Sequence, residues 1–574
     1  MRSRKGLLIM AMAVATLTTL AAPSSADHAT RPSEDVTALG HSPHAASADD
    51  PADMVHINSD LAFWGNIAFN GNYNGWRTID ISNPASPVQL AWYNQCNGSQ
   101  GDVVVWEDIL VRSWNSKVTG RSCGGQPVPS DFEGLHVFDI SNLQSPQLVG
   151  SLDLPCGSHT ATLAGIEGGN LILYNNISSS TGCADGTQVN DDPVGDFMDI
   201  VAVPLNNPGG INLVRREPLQ GPGPAVPPNP APRTGCHDVG VIRFDVNKAA
   251  CASADTINVF DIGVNGTPGG SLTDPVLLFT ITEPGVGVSG TNGRWHSATF
   301  TWDGQVIAAG WEPGGGSEAE CQSTDPDADK SMFFYNANTG AKLGQWVLPR
   351  AQGADENCTI HNYNVVPMRN GRYIVVGGHY QAGTWVVDFT NPASPQVLAF
   401  SDPASLGPGP HCTDPTTFPP GCLLGGAWSS YWYNDFVYES DITKGLNVFR
   451  VTDSALAPDL TINQPFLNPQ TQMEPQRCKG LPATHLGTNG RDKIRGTAEA
   501  DVVVALGGKD SVNTRGGEDL VCAGGGKDRV KGKGGNDRLY GQGGSDRLNG
   551  GAAVDRCVGG PGRDRIRRCE RGRP

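Results

Sequence analysis

Nine aspartates recur at an unbroken nine-residue interval near the C-terminus: Asp492, Asp501, Asp510, Asp519, Asp528, Asp537, Asp546, Asp555 and Asp564. Two residues after each stands a small apolar side chain: Ile494, Val503, Val512, Val521, Val530, Leu539, Leu548, Cys557 and Ile566. Glycine fills the position two before the aspartate in seven of the nine, the exceptions being Glu499 and Ala553. No helix has a period of nine. A coil of short strands and glycine turns does, with each apolar residue facing a thin core and each aspartate held in a turn. The pattern predicts an ion as well as a fold.

The closest copies are Ala523-Gly524-Gly525-Gly526-Lys527-Asp528-Arg529-Val530, Gly532-Lys533-Gly534-Gly535-Asn536-Asp537-Arg538-Leu539 and Gly541-Gln542-Gly543-Gly544-Ser545-Asp546-Arg547-Leu548. They resemble the haemolysin-type (RTX) calcium-binding nonapeptide. The resemblance implies a parallel β-roll with two nonapeptides per turn. Asp510, Asp528, Asp546 and Asp564 would then stack on one edge, and Asp501, Asp519, Asp537 and Asp555 on the other. Calcium suits such a site, because it accepts many oxygen ligands in flexible geometry. The expected calcium ligands are Asp510, Asp519, Asp528, Asp537, Asp546 and Asp564. Two departures from the family pattern leave open a roll that keeps the architecture and binds little metal. Lys and Arg flank many of the aspartates, as in Lys527-Asp528-Arg529, and the outer repeats lose glycines, as in Ala552-Ala553-Val554-Asp555.

The N-terminus reads as a secretory signal: Arg2, Arg4 and Lys5, an apolar run from Gly6 to Leu20, then Ser24-Ser25-Ala26, with cleavage expected after Ala26. No later segment approaches membrane-spanning length. The expected location is extracellular, secreted or attached to the cell surface. The 14 cysteines contain no close CxxC pair, which argues against zinc sites and a redox dithiol and for disulfides. Pairing between sequence neighbours is one connectivity among many: Cys96 with Cys123, Cys156 with Cys183, Cys236 with Cys251, Cys321 with Cys358, Cys412 with Cys422, Cys478 with Cys522, and Cys557 with Cys569.

Net charge is -17, yet from Gly487 onward 18 Lys and Arg stand against 12 Asp and Glu. An acidic body therefore carries a basic tail, which could touch an anionic cell-surface polymer or be a solvated face. Nucleic acid is not an expected partner, since Tyr540 is the tail's only aromatic residue for base stacking.

A looser repeat fills the body. Trp76-Arg77-Thr78-Ile79-Asp80-Ile81-Ser82-Asn83-Pro84 is echoed at Leu135–Asn142, Ile257–Ile262, Thr384–Pro392 and Leu446–Val451, with weaker phrases at Phe197–Val203 and Met332–Tyr335. Each is a β-branched or aromatic run, and most are closed by Asp, Asn or Pro, which is strand followed by turn. Seven units of roughly forty to seventy residues favour propeller blades. The phrase resembles the LVIVD repeat of bacterial surface β-propellers. The expected fold class is all-β: a seven-bladed β-propeller, six or eight blades remaining open, followed by a parallel β-roll. The expected organisation is a signal peptide at 1–26, a disordered linker at 27–52, the propeller at 53–455, a second linker at 456–485 and the roll at 486–570. Asp80, Asp139, Asp261 and Asp388 in the phrases are expected to cap backbone amides.

Four histidines begin equivalent strands: His159, His237, His296 and His361. In a propeller the first strand of each blade lines the channel, so these imidazoles can converge. With Glu312, His379, Glu439 or Asp441 they would suit a transition metal, or else they only bond to neighbouring backbone. No Gly-x-Ser-x-Gly, Walker loop or HExxH motif is present. The expectation is a secreted, monomeric calcium-binding protein whose propeller binds an extracellular ligand or surface. The alternative is a propeller oxidoreductase or hydrolase using a channel metal.

Overall fold

The computed structural model describes residues 35–44, 57–177, 197–220, 235–263, 269–284, 294–313, 321–403 and 425–573, less a few positions inside these ranges. The expected signal peptide, and the Cys156–Cys183 and Cys412–Cys422 pairings, lie wholly or partly outside them.

Seven antiparallel sheets of four strands, two of them extended by a short fifth strand, are arranged as the blades of a β-propeller. Their first strands are Asn58–Trp64, Val103–Trp106, Thr160–Glu167, Asp238–Arg243, Arg294–Phe300, Tyr363–Val365 and Ala427–Tyr433, defining blades I to VII. First strands of neighbouring blades touch all the way round, VII against I included. Seven apolar clusters fill the interfaces. One joins Trp76 of blade I to Phe138 of blade II, another joins Trp295 of blade V to Ala250 of blade IV, and the seventh joins Tyr431 of blade VII to Phe63 of blade I. The repeated phrase is the third strand of each blade, and its aspartates cap turns. The amides of Ser82, Ser141, Gly263 and Thr390 donate to Asp80, Asp139, Asp261 and Asp388 at 2.8–2.9 Å. A bulge interrupts the pairing of the third with the outermost strand in every blade, as between Thr78 and Ile79 or Val386 and Val387. Such a bulge steepens the twist of the blade rim.

Within the two segments expected to be linkers, Val36–Pro43 and residues 460–473 pack on the propeller. Val36–Pro43 pairs antiparallel with Gly445–Val451 as the outermost strand of blade VII, so the two ends of the propeller sequence close the ring. Residues 460–473 cross the face where the first strands end and bond to every blade in turn. Ile462 N donates to Pro367 O, Gln464 N to Asn434 Oδ1, and Gly65 N to Pro465 O. Asn468 exchanges two bonds with the Val105 backbone, at 2.7 and 2.9 Å. Thr471 Oγ1 donates to Leu163 O, Thr471–Met473 pairs with Val241–Arg243, and Gln472 Nε2 donates to Phe300 O. This strap ties down one end of the ring.

The C-terminal domain is a β-solenoid. Two parallel sheets carry strands displaced by 18 residues, Ile494 beside Val512, Val530, Leu548 and Ile566 in one, and Val503 beside Val521, Leu539 and Cys557 in the other. The central residue of each three-residue strand points inward, giving a core one side chain thick. Cys478–Cys522 and Cys557–Cys569 pin its two ends, and Cys96–Cys123, Cys236–Cys251 and Cys321–Cys358 pin the propeller, each between sequence neighbours.

Candidate functional sites

The aspartates form two columns. Each backbone amide donates to the Oδ1 of the aspartate 18 residues on: 510 to 528, 528 to 546 and 546 to 564 in one column, 501 to 519, 519 to 537 and 537 to 555 in the other, at 2.8–3.0 Å. Each backbone carbonyl accepts in turn, as Asp528 O does from Arg547 N. Both main-chain groups and one carboxylate oxygen are thus satisfied by the coil itself. The other oxygen is not: Oδ2 of Asp510, Asp519, Asp528, Asp537, Asp546, Asp555 and Asp564 is buried without a hydrogen-bond partner. A buried carboxylate oxygen left unpaired is costly, and a bound cation would remove that cost. In the ion-free chain burial, followed by repulsion between neighbouring turns, pushes Asp510, Asp519, Asp528 and Asp546 up to about 6 and Asp537 to about 7.

Glycine five residues before the aspartate opens space beside the orphaned oxygen. A methyl at Gly541 would stand 2.5 Å from Asp546 Oδ2 and 2.6 Å from the Gly559 carbonyl oxygen. The same two oxygen types, a carboxylate Oδ2 and a carbonyl from the next turn, crowd the missing Cβ at Gly532 and Gly550, beside Asp537 and Asp555. At Gly559 the crowding atoms belong to Asp564. Ala505, Thr514 and Ala523 occupy this position ahead of Asp510, Asp519 and Asp528. The Thr514 hydroxyl donates to the Gly532 carbonyl at 3.0 Å, taking up an oxygen a cation would use. Oxygen-lined cradles of this kind fit calcium, and they are open beside Asp537, Asp546, Asp555 and Asp564. Sequence reasoning passed over Asp555 because Ala552 and Ala553 obscured the repeat, yet Gly550 keeps its cradle open. Ala553 itself adopts the positive φ of 86° that glycine supplies elsewhere.

On the outward side of one solenoid sheet, Lys493, Ser511, Arg529, Arg547 and Arg565 stand in register, followed by Arg495, Asn513, Lys531, Asn549 and Arg567. Seven of these ten positions are cationic and none is acidic. Parallel strands set successive members about 4.8 Å apart.

In the propeller the four histidines converge where the first strands begin, at the end opposite the strap. Ring centroids of His159 and His237 are 4.5 Å apart, His237 and His296 4.2 Å, and His296 and His361 4.1 Å. Glu312 joins them, its Oε2 lying 3.9 Å from His237 Nε2 and 3.3 Å from Arg294 Nε. So does Asp238, which accepts from Thr160 Oγ1 at 2.7 Å and has Oδ2 3.5 Å from His296 Nδ1. Burial pushes His237 and His296 well below their ordinary range and His361 to about 3; it raises Asp238 to about 8 and Glu312 to about 7, Arg294 opposing the last. His379, Glu439 and Asp441 are engaged elsewhere. His379 Nδ1 is 3.1 Å from Thr359 O, Glu439 accepts from Thr384 and Asn447, and Asp441 caps the turn at Thr443. Sequence reasoning missed Asp60 and Asp102, which begin the first two blades. Asp102 Oδ1 accepts from the Asp60 amide at 3.0 Å, and Asp60 Oδ2 accepts from Asn362 and Tyr431.

Both repeats are recognised in comparison with known families. The RTX calcium-binding nonapeptide repeat (4 copies) matches residues 486–521, 523–557 and 532–566. The LVIVD repeat matches residues 58–95 and 130–153, which are blade I and the outer half of blade II. The chain is therefore a β-propeller protein with LVIVD repeats and C-terminal calcium-binding RTX repeats. No curated protein matches it. Among solved structures, the β-propeller domain of Myceliophteria thermophila Cps50 (Swd1) is similar at 9% identity and a TM-score of 0.37, covering 69% of this chain and 96% of that one. Among the described residues no helix is long and apolar enough to cross a membrane.

Proposed function

We propose that this is a secreted protein in which extracellular calcium folds the C-terminal roll, and the rigid roll then holds the protein, with its ligand-binding propeller, on an anionic surface polymer. The observation that carries the reading is the row of buried, unpartnered Oδ2 atoms. The roll's core is one residue thick, so apolar burial alone offsets little of the chain entropy lost on coiling. Cation binding then supplies folding free energy. Calcium is allotted to the open cradles at Asp537, Asp546, Asp555 and Asp564, with weaker sites at Asp510, Asp519 and Asp528. Outside the cell calcium is abundant, and the five disulfides among the described residues fit an oxidising compartment. The arginine and lysine ladder on one face matches a polymer of repeating negative charge, and its register depends on the coil that calcium closes.

Isothermal titration of the full-length protein tests the reading. Calcium should bind with Kd of about 10⁻⁴–10⁻³ M, the range of extracellular modules, and magnesium should not compete. Retention on beads coated with a phosphodiester or polyuronate polymer should require calcium and be lost on neutral beads. Absence of calcium binding overturns the proposal; binding without calcium-dependent retention leaves the fold reading standing and removes the surface role.

A further inference from the structure

The geometry points to a transition-metal site at the end of the propeller channel where the first strands begin, in which His237, His296, His361 and Glu312 hold one divalent first-row ion. Ligand atoms of His296, Glu312 and His361 all lie within 4.8 Å of one another, as do those of His237, Asp238 and His296. His296 belongs to both groups. It is 1% exposed, and neither of its ring nitrogens makes a hydrogen bond. A histidine buried only for packing would have at least one nitrogen satisfied, since an orphaned buried polar group costs about 1–3 kcal/mol.

The neighbouring rings are oriented as metal ligands are. His237 Nδ1 faces the His296 carbonyl at 3.1 Å, and His361 Nδ1 bonds to the Trp428 carbonyl. A backbone acceptor on Nδ1 fixes the tautomer and leaves the Nε2 lone pair for an ion. His237 Nε2 indeed faces the Glu312 carboxylate. Three imidazoles with one carboxylate select zinc, copper, nickel or iron over calcium and magnesium, which prefer all-oxygen sites. Arg294 shares the Glu312 carboxylate, and its charge weakens the site for any cation; Asp238 lies against both His237 and His296. The site shares no residue with the aspartate columns, so it stands or falls independently of the calcium reading.

The test uses untagged full-length protein, stripped with chelator, returned to saturating calcium and titrated with zinc and with cobalt(II). One equivalent of zinc should be retained through gel filtration, and cobalt should develop visible d–d absorption. Glu312→Gln and His296→Gln should each weaken binding by about tenfold or more, while Asp546→Asn in the roll leaves it unchanged. Should His296→Gln fail to fold, the near-isosteric Glu312→Gln decides. Less than half an equivalent retained, or equal affinity in folded Glu312→Gln, overturns the inference. Loss of the ion with Asp546→Asn would reassign it to the roll and overturn it as well.

Discussion

Replacing Asp546 with asparagine should change sign between calcium-free and calcium-loaded protein. The amide oxygen of asparagine can still accept from the Asp528 amide, now 2.9 Å from Oδ1, so the coil keeps its hydrogen bond and loses only charge. In the ion-free state Asp546 is raised from 3.8 to about 6, by burial first and then by Asp528 and Asp564. Two pH units correspond to a ceiling of about 3 kcal/mol at neutral pH. Solvent close to the thin edge of the roll screens much of this, leaving about 1 kcal/mol gained by the variant. At a calcium concentration a hundredfold above Kd, each bound ion contributes about 2.7 kcal/mol. Losing it turns the gain into a net loss of about 2 kcal/mol. Thermal unfolding of the tail transition in the full-length protein, in chelator and in calcium, reads both values. Asp528→Asn makes the same charge deletion where Ala523 narrows the cradle, and should be stabilising in chelator and near neutral in calcium. An Asp546→Asn variant destabilised equally in both conditions would refute the reasoning, because the carboxylate would then be structural and not a ligand.

The calcium-free roll should lose stability as pH rises from about 4 to 7. Its raised carboxyls hold protons that the unfolded chain has released, so the stabilisation present below 3.8 disappears as pH passes the folded values near 6 and 7, as a pH series of melting curves would show. Calcium should reverse that slope. Gly541→Ala places a methyl 2.5 Å from Asp546 Oδ2 and should cost about 1–3 kcal/mol by overpacking, measured by chemical denaturation. Asn468→Ala strands the buried Val105 amide and carbonyl and should lower propeller stability by roughly 2–4 kcal/mol, leaving the roll transition in place. Mass analysis of exported protein should find a mature chain beginning at Asp27.

The roll was legible because its period is written covalently. A nine-residue repeat coiled at two repeats per turn can only bring residue n against n+18, so the two aspartate columns and the inward row from Ile494 to Ile566 follow from counting. The propeller was legible through its third strands, whose phrase ends in turn-capping aspartates. The closing strand Val36–Pro43 was not, because an outermost edge strand buries only Val36 and Ser42 and shows no alternation. The strap escaped for a related reason: it bonds through side-chain amides and two- or three-residue strands, too short for any period. Convergence of the histidines could be guessed from their place at strand starts. Which carboxylates join them, Glu312 and Asp238 but not Glu439 or Asp441, depends on strand register across blades, and no local signal carries that.

Hydrogen exchange of the full-length protein, with and without calcium, tests the central claim most directly. The amides of Asp510, Asp519, Asp528, Asp537 and Asp546 donate to the next turn's carboxylates. They should be protected in calcium and exchange freely in chelator, while the propeller strands stay protected throughout. Equal protection of those five amides in both conditions would show a roll that folds without its ion, and would contradict the account.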